Sequence, residues 1–244
     1  MGKDNSKMYM YMPISLLLNL RDIEEIKETH RDLVFFYMFI IGILWKHGFY
    51  AERRLRLSDI KVILGYSKDD KRTNYLFKEG GVLDRNKLTR VSSNPPYTFE
   101  YVNGAIVHNY VKSCPDEDMK EIMMSNIKNC KIKSPLYYEL QTKRDLTNTI
   151  LVKLDTVNKI MDSVESKKVG ISVVYIYYIL RYMSLVNNEE VFKCSNDTLC
   201  EFSGLGLRKV IKITNHLADI GFLQKSQEHL SSGNVNCYTL TRNL

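Results

Sequence analysis

The chain has 244 residues and a mass of 28.5 kDa, enough for one large domain or two of ordinary size, since domains typically run to about 100 to 150 residues. With 44% hydrophobic and 26% charged residues, 12 Gly and 5 Pro, it can bury a core, which excludes collagen-like, mucin-like and wholly disordered classes. Thirty-five Lys and Arg against 28 Asp and Glu leave +7 at neutral pH and a pI near 9.0, an excess that permits an anionic partner.

Five cysteines (Cys114, Cys130, Cys194, Cys200 and Cys237) without a C-x-x-C pair indicate neither a disulfide framework nor a zinc ribbon; free thiols in a reducing cytosol are the simpler account. Leu33 to Trp45 is an apolar run of about 13 residues, short of the roughly 20 that span a bilayer, and reads as a buried helix. Pro13 interrupts the apolar stretch Met8 to Leu20, and Arg21, Asp22, Glu24 and Glu25 follow it directly. A cytoplasmic protein with no export signal and no membrane contact is expected.

In chain order, a short extended segment with a helix start (Met10 to Leu20) precedes the helix Leu33 to Trp45. A short helix follows (Ser58 to Leu64), then a Gly65-Tyr66-Ser67 turn, a charged helix (Lys68 to Lys78) and Gly81-Val82-Leu83. Two strands are predicted at about Leu83 to Val91 and Tyr97 to Val102, joined by the turn-like Ser92-Ser93-Asn94-Pro95-Pro96. From Gly104 to Arg144 a helical connector is expected, with an acidic helix start at Asp116-Glu117-Asp118 running to about Cys130. The same order then recurs at an offset of roughly 139 residues. Ile150 to Met161 takes the opening position and Ile171 to Leu185 that of the apolar helix. Ser195 to Phe202, the turn Ser203 to Gly206, the helix Leu207 to Asp219 and strands at Phe222 to Ser226 and Val235 to Thr241 complete it, around a Ser231-Ser232-Gly233-Asn234 tip.

The stretch from Ser195 to Val210 has the spacing of a helix-turn-helix. Ser195 can accept from a free backbone N–H at the first helix start, Gly204 permits positive φ at the turn and Leu205 can fill the crevice. Val210, Ile213, Leu217 and Ile220 form an inward stripe. Arg208, Lys209, Lys212, Asn215 and His216 lie opposite and are side chains that a major-groove reader uses. In the first half, Ser67 is the expected N-cap, with Asp70 in a capping-box-like position and Thr73, Leu76 and Phe77 turned inward. From Arg53 to Arg90 there are 11 Lys and Arg against 5 Asp and Glu, nearly the whole net charge of the chain. Lys68, Lys71, Arg72, Tyr75 and Lys78 would line the outer helix face, with Arg85, Lys87 and Arg90 on the strand that leads to the hairpin.

A helix-turn-helix followed at once by Gly221-Phe222-Leu223, a strand, a polar loop and a strand ending in Tyr238-Thr239-Leu240 resembles the winged-helix domain of many bacterial DNA-binding proteins. The resemblance implies that the second helix, Gly206 through His216, enters the major groove while the hairpin tip, with Ser231, Asn234 and Asn236, touches the backbone or minor groove. Two such units in tandem, each introduced by an extended segment and an apolar aromatic helix, resemble the replication initiators of theta-replicating plasmids. The opening Tyr9-Met10-Tyr11-Met12-Pro13-Ile14-Ser15-Leu16-Leu17 also looks like the start of phage and plasmid initiators from low-GC Gram-positive hosts. The expected fold is α+β, mainly helical, with two winged-helix domains in tandem: residues 1–105, a helical connector at 106–145, and 146–244. The expected function is sequence-specific binding of double-stranded DNA in a plasmid or phage as a replication initiator; a transcriptional repressor and a winged-helix protein-interaction scaffold are the alternatives. The resemblance adds a homodimer or replication and transcription proteins as partners.

The histidines (His30, His47, His108, His216 and His229) never stand in the His-hydrophobe-His spacing of rolling-circle initiators, and no phosphate-binding loop, dinucleotide fingerprint, nucleophile elbow or H-E-x-x-H pair occurs. No catalytic residue, metal or cofactor is expected. If six of the first-half cations meet phosphates, DNA affinity should fall with salt at a log–log slope of about −5. Lys71→Ala or Arg72→Ala should flatten that slope on every duplex, whereas Arg208→Ala or Lys212→Ala should cost sequence discrimination; equal losses for all four on specific and random DNA would contradict this division.

Overall fold

The computed structural model describes residues 9–46, 57–92, 97–102, 105–110, 137–140, 149–188, 191–230 and 233–241. The fold is α+β and mainly helical, with a small three-stranded antiparallel sheet. The chain divides into two compact units, one made of residues 1–39 and 144–244 and the other of residues 40–143. The sequence-based division at 105 and 145 differs from this at its N-terminal end, and strand pairing is the physical reason. Strand β1 (Tyr9–Pro13) is antiparallel to β6 (Thr149–Lys153), with Met12 opposite Ile150. Both of those side chains are buried.

Helix α1 (Ile14–Asp22) follows β1, and α2 (Arg31–Lys46) carries the predicted apolar run. After β6 come α6 (Leu154–Asp162) and α7 (Lys167–Asn187). By length and composition α7 could cross a membrane, with a mean hydropathy of 1.6. Its residues Gly170 to Leu180 are nevertheless all buried inside the protein. Phe35 of α2 lies 5.1 Å from the ring centroids of both Tyr175 and Tyr178. Full burial of the Phe35 side chain contributes about 1.5–3 kcal/mol through removal from water. Helix α7 stops at Asn188, whose left-handed backbone (φ 51°) suits a short amide side chain.

Strand β7 (Val191–Cys194), helix α8 (Asn196–Ser203), helix α9 (Leu207–Asp219) and strands β8 (Leu223–Leu230) and β9 (Gly233–Leu240) complete this unit. The sheet order is β7-β9-β8, antiparallel throughout. Ser195 caps α8 by accepting from the Thr198 amide at 3.0 Å. The Ser203 hydroxyl closes the far end by donating to the Leu199 carbonyl at 2.6 Å and accepting from the Leu205 amide at 3.1 Å. Val210, Ile213 and Leu217 are buried as expected; Ile220 lies beyond the last helical turn and is only half-buried.

The other unit departs further from expectation. Helix α3 (Leu57–Ile63) forms, but the charged helix Lys68 to Lys78 does not: residues 67–73 are turns, followed by the one-turn helices α4 (Asn74–Phe77) and α5 (Val82–Arg85). Asp70 supplies the reason. Its carboxylate accepts from the Arg72 amide at 2.9 Å and from the Arg72 guanidinium, an i to i+2 side-chain turn that competes with helix initiation. Thr73, Leu76 and Phe77 still face inward. The strand predicted from Leu83 begins only at Thr89, because Val82 and Leu83 belong to α5 and Lys87 adopts φ 56°.

The expected hairpin of residues 83–91 with 97–102 is replaced by two other pairings. Strand β2 (Thr89–Ser92) pairs with β5 (Tyr137–Leu140), and β3 (Tyr97–Val102) pairs with β4 (Ala105–Tyr110). Val102 stands opposite Ala105, and the dipeptide between them is Asn103-Gly104, the combination most favoured in two-residue hairpins. Strands β4 and β5 thus lie at the two ends of the segment where a helical connector was expected. Residues 93–96 and 111–136, which include the predicted Pro-Pro turn and the connector helix, lie outside the described residues.

Gly204 joins α8 to α9 with φ 71°, and a Cβ there would stand 2.7 Å from the Glu28 carbonyl oxygen. Gly204→Ala should therefore destabilise the protein by about 2 kcal/mol or more. Gly206→Ala, with nothing within 4 Å of the added carbon, should cost less than about 1 kcal/mol. Denaturant unfolding of the two variants measures both, and equal midpoints would contradict the close approach.

Candidate nucleic-acid interface

Helix α9 has one face in the core and the opposite face in water. At 100° per residue, the buried Val210, Ile213, Thr214 and Leu217 set the inward direction. Arg208, Lys212 and Asn215 project opposite to it, and all three are exposed. Arg208 and Lys212 make no ion pair among the described residues. Asp219 follows one turn beyond Asn215 and is also exposed.

Lys209 and His216, expected in the same stripe, sit on its flank and are engaged within the unit. The ammonium of Lys209 lies 3.5 Å from Asp32 Oδ2 and is about half exposed. His216 Nε2 lies 2.8 Å from Ser163 Oγ, at the end of α6. Asn215 also has a partner, because Lys225 on β8 donates to its Oδ1 at 3.0 Å and to Thr214 Oγ1 at 3.4 Å. Burial lowers the Lys225 pKa.

Asp32 at the start of α2 explains how Lys209 is held. Its buried carboxylate accepts from the Leu33 amide at 2.8 Å and from the Ser172 hydroxyl of α7, with Lys209 as its third partner. The adjacent Arg31 donates to the Glu201 carbonyl at 3.0 Å and the Arg21 carbonyl at 3.4 Å. A guanidinium at the last carbonyls of α8 complements the negative end of that helix. Arg21 in turn lies over the Phe202 ring, 5.4 Å from its centroid. Residues near the N-terminus thus hold both helices of the pair.

Of the expected hairpin residues, Asn236 needs correction. It is buried, and its Nδ2 donates to Asn196 Oδ1 at 3.0 Å while its own Oδ1 accepts from Gln227 at 3.4 Å. Tyr238 O–H reaches the same Asn196 oxygen at 3.4 Å. Asn236 thus ties the hairpin to the start of α8, and its amide is spent inside. Asn234 lies on β9 opposite His229, and Ser231 lies outside the described residues. Gly206, exposed at the start of α9, leaves open space around its backbone.

In the other unit Lys68, Lys71, Arg72, Lys78, Arg85 and Lys87 are exposed and Tyr75 is half-buried. They stand on turns and one-turn helices, so no continuous helix face gathers them. Asp70 holds the Arg72 guanidinium, which also lies 5.7 Å from the Tyr66 ring centroid, and Arg85 donates to the Gly80 carbonyl at 2.6 Å. Arg90 is on β2 opposite Glu139.

Sequence reasoning missed Asp32, Asn196 and Lys225. A signal existed for Lys225: it alternates with Leu223 on β8 and stands opposite Tyr238, so a cation occupies a strand position on the core-facing side. Among the described residues, no three His, Cys, Asp or Glu side chains come together as a metal site. Comparison with protein-family models, curated proteins and solved structures finds no match for this chain.

Strands β7 and β9 of the same sheet also carry a pH dependence, through Cys194 and Tyr238. Burial pushes the Cys194 thiol up to about 11 and the Tyr238 hydroxyl up to about 12, against about 8.5 and 10 in an unfolded chain. Both are acids kept neutral by folding. Their contribution to stability is complete below the unfolded values and disappears as pH rises through the folded ones. The melting temperature should fall steadily between about pH 9 and 11, and Cys194→Ser should make the first part of that fall shallower; an unchanged slope in the variant would contradict the assignment.

Proposed function

We propose that residues 167–241 are a winged-helix module that reads the major groove of double-stranded DNA with α9, and that the chain serves a plasmid or phage as a replication initiator. One observation carries the DNA reading: α9, the second helix after a tight turn, buries its apolar side and turns Arg208, Lys212 and Asn215 outward together. The order helix, strand, helix, helix, hairpin and the sheet order β7-β9-β8 support the winged-helix assignment. Arg and Lys can meet phosphates or guanine edges, and helix N-termini suit phosphate oxygens. In residues 57–92 the tandem reading has narrower support, from the succession of short helices and the density of cations. The initiator role rests on the resemblance of the opening segment and of the layout.

A second reading, docking of a partner protein, is favoured by the exposed Leu185, Val186 and Val191 around the end of α7 and the start of β7. Binding to DNA separates the two. The full chain, titrated by fluorescence polarisation against duplexes from around its own coding region and against shuffled duplexes, should bind the former more tightly and lose affinity steeply between about 50 and 200 mM salt. Arg208→Ala and Lys212→Ala should each weaken specific binding about tenfold. Protection of several direct repeats beside an AT-rich tract supports the initiator role, and one inverted repeat over a promoter supports a repressor. Weak binding that ignores sequence and salt would remove the DNA reading and favour docking.

A further inference from the structure

The contact between Lys225 and Asn215 restricts which base edges α9 can read. An ammonium has three donors and no acceptor. The atom of the Asn215 amide that faces Lys225 at 3.0 Å must therefore be its oxygen, which settles an orientation that heavy-atom positions alone leave open. With the oxygen turned to Lys225 on the sheet, the NH2 group is the end of this exposed amide left without a partner among the described residues. Arg208 and Lys212 on the same face of α9 are donors without acceptors. The reading line from Arg208 to Asn215 is thus a row of donors.

In the major groove an Asn that recognises adenine uses both ends of its amide, accepting from the N6 amino group and donating to N7. Guanine instead offers two acceptors side by side, O6 and N7. A row of donors matches guanine and meets the adenine amino group with like polarity. A lost pairing at a buried edge also leaves a desolvated polar group, which makes the mismatch costly. Resting on the groove-reading assignment above, we infer that α9 selects guanine-containing steps, and that Lys225 is a positioning residue that keeps the Asn215 oxygen out of base recognition.

The test uses the full chain. Its preferred site is selected from randomised duplexes, and the base pair at which Asn215→Ala loses discrimination is identified. Affinities are then measured with guanine, adenine or 7-deazaguanine at that position. The wild type should prefer guanine to adenine by about tenfold and should lose a similar factor on 7-deazaguanine, which lacks the N7 acceptor. Lys225→Met should move the preference towards adenine, and Lys225→Arg, which retains a donor, should keep guanine. Circular dichroism and melting curves establish that the variants fold. Adenine preference in the wild type, or a Lys225→Met variant with unchanged base preference, overturns the inference and leaves DNA binding standing. Absence of any salt-sensitive duplex binding instead removes the groove-reading assignment itself.

Discussion

Two charged residues at the start of α2 organise the unit that holds α9. Arg31 and Asp32 are both buried, and burial of a charge is tolerated only where partners replace the lost water. Asp32 finds them on its own helix, on α7 and on α9; Arg31 finds carbonyls at the ends of α1 and α8. Removing one partner from such a set costs several kcal/mol because the other charge stays behind. The geometry of these carbonyls and hydroxyls therefore fixes where the α8–α9 pair sits against α2. Phe35, Tyr175 and Tyr178 supply the apolar part of the same packing.

This constraint divides the cations of α9 into two kinds. Lys209 faces the carboxylate that helps to hold the helix, while Arg208 and Lys212 remain turned to solvent. A similar division holds on the sheet side, where Asn236 and Tyr238 bind the hairpin to Asn196 and Lys225 binds it to α9. The hairpin and both helices are thus joined by specific hydrogen bonds as well as by apolar packing.

Much of the α8–α9 region was legible in advance because its signals are local. Ser195 as a cap, Gly204 at positive φ and the 3.6-residue spacing of Val210, Ile213 and Leu217 each act within a turn or two of helix. The region around Asp70 was misread for a related reason. A Ser followed three residues later by an acid resembles a helix start, but Asp70 turned its carboxylate to Arg72 instead. The Asn103-Gly104 dipeptide was a local signal for the pairing of β3 with β4 that went unused.

The residue order by itself determined which segments are helical in the second half, where α9 begins and ends, and which of its faces is apolar. Only the tertiary structure decided that β1 pairs with β6, that Lys209 and His216 find partners on α2 and beside α6, and that Lys225 contacts Asn215. Asp32 and Lys209 are 177 positions apart, and Asp32 and Ser172 are 140 apart. No periodicity or capping rule extends over such distances, because those rules describe neighbours on one element. Partners on different elements are chosen by the packing that brings them together, and that choice appears only when the whole unit has closed around α7.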